Sequence, residues 1–318
     1  MQLSQDVAPG VAWLRTVMVN VVFVEPEPQD GRWVLVDAGL AGHLRVIARA
    51  ARARFGDRPP AAIVLTHAHF DHVGNLERLL DVWDVPVYAH ALELAHLTGR
   101  RAYPPPDPTV GGGLMAWCAR LYPCGPIDIS TRVRALPDDG AIPPLPGWRW
   151  WHTPGHTDGH VSLFRDTDRV LVSGDAVITV RQESLGAVIM QAPALHGPPA
   201  YFTSDWSEAL GSVRDLADLS PNVLVPGHGV PMSGPRLTRS LRAFADGFHL
   251  EIPERGRYVG APARRREDGG HDLPRDPWPA AVRRGLAGLA VTALAGAWLW
   301  RRQWPGAPPR RRFLPGDR

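Results

Sequence analysis

The chain has 318 residues, 44% hydrophobic and 21% charged, enough to bury a large core in one domain or two small ones, and a soluble globular body is expected. Its net charge is only +3 but unevenly placed: from Glu254 onward 14 Arg stand against 6 acidic residues, so that stretch carries +8 and the preceding 253 residues −5. A slightly acidic body argues against an enzyme of phosphate backbones, which would cluster cations near its site, so no nucleic-acid partner is expected.

In chain order, Met1 to Asp6 show no basic segment followed by an apolar one, so no cleaved export signal is read there and the body is expected in the cytoplasm. Residues 13–24 and 33–36 are β-branched, apolar runs on either side of Glu25-Pro26-Glu27-Pro28-Gln29-Asp30-Gly31, which predicts a hairpin, and Asp37-Ala38-Gly39 ends the second strand. Leu44, Ile47, Ala48 and Ala51 recur at helical spacing and predict a helix over 43–55. The Pro59-Pro60 break then leads to a strand at Ile63-Val64-Leu65. A helix over 76–82, a short strand over 85–88 and a helix over 91–97 follow.

Residues 99–146 differ in composition, with Pro104-Pro105-Pro106 and Gly111-Gly112-Gly113, and read as a loop-rich insertion of the length that forms lids and binding walls. Cys118 and Cys124, within it, match neither a zinc knuckle nor a redox pair and read as ordinary thiols. Short strands are predicted around 148–151, 161–164 and 170–172, then a helix over 207–219, a strand at Val223-Leu224-Val225 and a closing helix over 235–248.

Residues 1–253 are thus expected to form one body. The shift to Arg, Pro, Gly and Asp over 254–279 predicts a linker. Gly285 to Trp300 is an uncharged, mostly apolar stretch of 16 residues between two Arg pairs. It falls short of the ~20 residues that span a bilayer, whereas Trp298 and Trp300 beside Arg301-Arg302 resemble an interfacial anchor. The helix expected over 280–302 is therefore either a membrane anchor or a buried or docking helix, and 303–318 is a basic tail.

The most concentrated chemistry lies in Thr66-His67-Ala68-His69-Phe70-Asp71-His72, where three imidazoles and a carboxylate fall within six positions. A cluster of surface histidines explains that density of first-row metal ligands poorly. Three more candidates stand downstream: His156 in Thr-Pro-Gly-His-Thr, Asp175 in Ser-Gly-Asp-Ala and His228 in Pro-Gly-His-Gly. Each follows a β-type run, so four strands would deliver ligands from their C-terminal ends to one edge, where a shallow metal site can form. Asp37 reads equally as a partner of a ligand imidazole and as a turn cap, and His160 as a structural histidine in preference to such a partner. His90, His96, His152, His196 and His249 read as structural and Tyr201 and Phe202 as core, while Glu183, with Arg181 and Gln182, follows the Asp175 strand closely enough to face a pocket.

Together these blocks resemble the metallo-β-lactamase superfamily of metallo-hydrolases over about residues 10 to 253. The resemblance implies an α+β fold, a four-layer αββα sandwich with a dinuclear site at the edge of its two sheets. Carried over position by position, His67, His69 and His156 would bind the first metal, Asp71, His72 and His228 the second, and Asp175 would bridge them. Zinc is the expected ion, two per chain, although manganese or iron suits the same donors. Three neutral imidazoles leave zinc its full charge, so water ionises near neutral pH and a bridging hydroxide is aimed at a carbonyl carbon, with Asp71 as the catalytic residue that orients it or takes up a proton.

Family patterns narrow the reaction. Class B β-lactamases of the common type place a Cys where Asp175 stands, which argues against antibiotic hydrolysis as a main role. The Gly-Cys-Gly-Arg segment of glyoxalase II is absent after Asp175, where the chain reads Val177-Ile178-Thr179-Val180-Arg181, and the Tyr of quorum-quenching lactonases corresponds to Ile178. Persulfide dioxygenases use a lone iron, and flavodiiron relatives carry Glu in place of His69. The sequence points to a dinuclear hydrolase, of thiolesterase or lactonase type, acting on an ester, thiolester or lactone of a small, partly apolar molecule. The alternatives are a metal-dependent phosphodiesterase and, from another class, a metal-bound binding module without turnover.

Overall fold

The computed structural model describes residues 4–26 and 31–277. Strands β1 (Gln5–Ala8), β2 (Val11–Thr16), β3 (Val19–Val24) and β4 (Val34–Val36) are antiparallel neighbours. Strands β5 (Ala62–Val64), β6 (Val87–Ala89) and β7 (Val133–Ala135) extend the same sheet parallel to β4. Helices α1 (Leu44–Phe55) and α2 (Leu76–Trp83) lie between these parallel strands in sequence, as parallel pairing requires a crossover. Helices α3 (Leu94–Leu97) and α4 (Leu114–Trp117) are single turns.

The second sheet contains β8 (Trp148–His152), β9 (Val161–Arg165), β10 (Val170–Gly174), β11 (Val223–Pro226) and β12 (Met232–Ser233), ordered β12-β11-β10-β9-β8. Helices α5 (Leu185–Met190) and α6 (Trp206–Asp218) separate β10 from β11, and α7 (Leu237–Asp246) follows β12.

Because side chains alternate across a strand, each strand buried on both faces supplies two layers of core. In β3, Val22 and Val24 point to the space between the sheets, where they join Trp148, Leu163, Val170 and Val172 of the second sheet. Val21 and Phe23 point the other way, to Ile47, Ala51 and Phe55 of α1. Leu171 and Leu224 similarly leave the second sheet to meet Val213, Leu216 and Leu241 of α6 and α7. Three apolar interfaces separated by two sheets make the four-layer αββα sandwich. Helix α1 can serve as an outer layer because Ile47, Ala50, Ala51 and Phe55 share one face, and Gly56, at φ 67°, ends it where the chain must turn back.

The run read as one strand over 13–24 is two, because Val17 adopts a left-handed φ of 68° and folds β2 back on β3. A β-branched residue rarely takes that conformation, so the sequence carries no turn signal there. Residues 99–146 are more than a wall: β7 completes the first sheet, and Ile129, Leu136, Ile142 and Leu145 are buried in the core. The stretch read as a linker packs on the body as far as Arg275. Tyr258 is buried with its hydroxyl donating to the Pro105 carbonyl, the Ala263 amide donates to Ser204, and Arg264–Arg265 pair with His271–Asp272 as a small hairpin. Composition suggested exposure because it counts the arginines, not these few anchors. The helix expected over 280–302 and the basic tail lie outside the described residues, among which no helix is long and apolar enough to cross a membrane.

Candidate metal centre

Four strand ends converge on one edge. His67, His69, Asp71 and His72 sit in the turn between β5 and α2, and His156, Asp175 and His228 follow β8, β10 and β11. Strands β10 and β11 are parallel with Gly174 opposite Pro226, which sets Asp175 beside His228. The two sheets are joined at this edge: the Val161 amide donates to the Thr66 carbonyl at 2.9 Å, and Asn20 on β3 donates through its side chain to Pro226 and Gly229. Gly227 is required by proximity, since a Cβ there would come within 2.1 Å of Asp175 Oδ1.

All seven side chains proposed as ligands are at most 6% exposed. His67 Nε2 lies 3.0 Å from His69 Nδ1, which lies 2.9 Å from His156 Nε2. Opposite this triad, His228 Nε2 is 3.4 Å from Asp71 Oδ2, and Asp71, His72 and His228 form a second group with ligand atoms within 4.8 Å of one another. Asp175 stands between them: Oδ1 is 3.4 Å from His72 Nε2, and Oδ2 is 3.4 Å from His156 Nε2 and 3.1 Å from His228 Nε2.

The outer ring nitrogens are held so that the inner ones keep their lone pairs. His72 Nδ1 donates to Asp37 Oδ2 at 2.8 Å, His228 Nδ1 to the Met18 carbonyl at 2.8 Å and His67 Nδ1 to Thr66 Oγ1 at 3.1 Å. Asp37 also accepts from the Thr66 amide and hydroxyl, so it partners a ligand imidazole and fixes the turn that bears it. His160 is not a ligand: its Nε2 accepts from the Asp175 amide at 2.9 Å and its Nδ1 pairs with Thr153.

Phe202, expected in the core, stacks on His69 with ring centroids 4.4 Å apart. Glu183 accepts from the Ala200 amide and lines a cavity of about 680 Å³ with Arg181, His196, Glu251 and Arg255. The sequence reading passed over Glu93 and Tyr103, which carry no motif and are buried beneath the first triad. Both thiols are free, and burial pushes Cys124 up to about 11, as suits an inert cysteine.

Burial pushes the His67 and His69 rings well below their ordinary value, aided by the neighbouring imidazoles, and burial lowers His156 to about 4. These three are neutral at pH 7 and available as donors. Burial would also lower His72 and His228, but Asp175 outweighs it, with Asp37 assisting at His72, and both are raised. Asp175 is held well below the usual carboxylate range because His228 and His72 outweigh its own burial, while burial raises Asp71.

The donor set fits a metal. His72 Nε2 and Asp175 Oδ1 are buried without a hydrogen-bond partner, and in the first triad three ring nitrogens crowd within 3.0 Å of one another in series, an arrangement that a shared cation explains.

Comparison with known proteins agrees. The family model of the metallo-beta-lactamase superfamily matches residues 14–228. A probable metallo-hydrolase of Bacillus subtilis (strain 168), YflN, is 48% identical over 242 residues, covering 76% of this chain and 92% of the relative. A second from the same organism, YybB, is 29% identical over 195 residues, 61% of this chain and 74% of its own. Among solved structures, a beta-lactamase domain protein from Burkholderia ambifaria superposes with a TM-score of 0.53 at 25% identity, covering 78% of each chain.

Proposed function

This chain belongs to the metallo-beta-lactamase superfamily and is a metal-dependent hydrolase, and from that premise we propose that it holds two ions and opens an ester, thiolester or lactone of a small, partly apolar molecule. One observation carries the reading: Asp175 reaches ligands of both groups, its Oδ2 lying 3.4 Å from His156 Nε2 of the first and 3.1 Å from His228 Nε2 of the second, and its Oδ1 3.4 Å from His72 Nε2 of the second, the place a bridging carboxylate would take. His67, His69 and His156 would hold one ion and Asp71, His72 and His228 the other; zinc suits these donors, as do manganese and iron. When bound, the ions supply a water that ionises near neutral pH and a Lewis acid for the carbonyl oxygen.

The chain's own residues do the rest. Asp71, whose affinity for a proton burial has raised, takes the proton from the attacking water on a carboxylate oxygen and returns it to the leaving group. Phe70, Tyr122, Tyr201 and Phe202 pack as one aromatic cluster beside His69, an apolar wall that suits an acyl chain or ring better than a phosphodiester. Phe202 stacked on His69 also keeps water from that ligand's outer face.

The test pairs a metal titration of the chelated full chain with turnover of chromogenic esters, thiolesters, lactones and bis(p-nitrophenyl) phosphate. Two equivalents and turnover of an acyl substrate are expected. Turnover of the phosphodiester alone would overturn the acyl reading, and none at full loading would favour a binding module.

A further inference from the structure

Glu93 is 1% exposed, and both of its carboxylate oxygens are fully used. Oε2 accepts from the Ala68 amide at 3.0 Å and from the Tyr103 hydroxyl, and Oε1 accepts from Thr157 Oγ1 at 2.8 Å and the Gly159 amide at 3.1 Å. These donors are not scattered. Ala68 lies between His67 and His69, and Thr157 directly follows His156, so one carboxylate pins the two loops that carry the whole first ligand triad. Tyr103 completes the cradle: its hydroxyl also accepts from the Ala68 amide at 2.9 Å, its ring lies 4.5 Å from that of His69, and its other face stacks on His96 at 3.7 Å. Gly159 is seated so closely that a Cβ would come within 2.8 Å of the Glu93 side chain.

The second group is held by other means, Asp37 behind His72 and the Met18 carbonyl behind His228. Asp37 touches the first triad only indirectly, through Thr66 beside His67, whereas Glu93 and Tyr103 bond directly to the residues that flank His67, His69 and His156, so the direct supports of the two halves differ. From this we infer that Glu93, with Tyr103, is the positioning residue for the ion held by His67, His69 and His156, and that it sets that ion's affinity independently of the other. The inference rests on the two-ion reading above. A buried carboxylate with four donors is a stiff link, because each donor left unmet costs the full desolvation of its group. Glutamine cannot replace it: one end would present an NH₂ to N–H and O–H donors.

The experiment is zinc titration of the chelated full chain against a chromogenic chelator, for wild type, Glu93→Gln, Tyr103→Phe, Thr157→Val and Asp37→Asn. Glu93→Gln should weaken one equivalent by about 10- to 100-fold and leave the other within about two-fold, the scale on which groups behind a ligand act. Tyr103→Phe and Thr157→Val should weaken the same equivalent less, and they decide the matter if Glu93→Gln does not fold. Asp37 bonds His72 directly and His67 only through Thr66, so Asp37→Asn should weaken the other one more than this one. From Glu93→Gln, equal loss at both equivalents, wild-type affinity at both, or loss chiefly at the equivalent that Asp37→Asn weakens more would each overturn the assignment. A wild type that binds a single equivalent defeats the two-ion reading, and Glu93 is then judged on that equivalent: weakened by Glu93→Gln it stands, unweakened it falls.

Discussion

The seven proposed ligands and the segments around them are built on opposite logics. His67, His156, Asp175 and His228 sit within four residues of a strand end and His69, Asp71 and His72 in the turn that follows β5; all are buried, and local hydrogen bonds such as His72 Nδ1 to Asp37 and the Asp175 amide to His160 hold them. The surrounding segments, 99–146 and 254–275, are tied by contacts between distant parts of the chain: Asp107 takes the Arg257 amide, Tyr258 reaches Pro105, and His271 Nε2 meets Asp158 at 2.9 Å. Metal chemistry tolerates few donor types and little displacement, so it leaves a pattern in sequence. A wall need only be the right shape, and many sequences make one.

That contrast can be broken most directly at Asp175, the proposed bridge. Asp175→Ala should cost turnover on the order of 1,000-fold and one metal equivalent, while the metal-free protein keeps its fold by circular dichroism. Wild-type turnover would end the account of this carboxylate. Next in size is metal removal: at free zinc 1,000 times a site's dissociation constant, loading should add about 4 kcal/mol per site to unfolding stability, read as a rise in the urea midpoint that chelator reverses.

The wall should behave differently. Tyr258→Phe removes one hydrogen bond from the packed C-terminal stretch, and about 1 kcal/mol of stability is expected to go with it. KM should move more than kcat. A kcat loss comparable with that of Asp175→Ala would erase the distinction between the two regions.

The smallest effect is one of pH. His90, stacked on His152 at 4.4 Å and half-buried, is lowered to about 4 by burial, so it is neutral in the fold at pH 7. Its contribution is fully present above the unfolded value near 6.5 and is lost as pH falls toward 4. In His90→Gln, therefore, the decline of the urea midpoint between pH 7 and pH 5 should be shallower than in wild type; equal slopes would show that the ring feels no burial.

Much of the centre was legible because His67, His69, Asp71 and His72 fall within one turn, and the glycines around His156, Asp175 and His228 mark turns after apolar runs. Asp37 was visible as a candidate only because it ends a strand. Glu93 was not, since a glutamate in a short helical turn ordinarily faces water, and nothing within a few residues tells that Thr157 and Gly159 will close over it. The break at Val17 was hidden for the opposite reason, a residue type that speaks for strand standing in a left-handed turn.

What the amino-acid order determined unaided was donor identity and local element type, because both are properties of a residue and its near neighbours. Tertiary structure alone decided that β7 joins the first sheet, that residues 254–275 fasten onto the body, and that a single carboxylate braces two ligand loops. Those depend on which surfaces meet once three apolar interfaces have closed together, and no local periodicity encodes a contact between residues that find each other only in the packed chain.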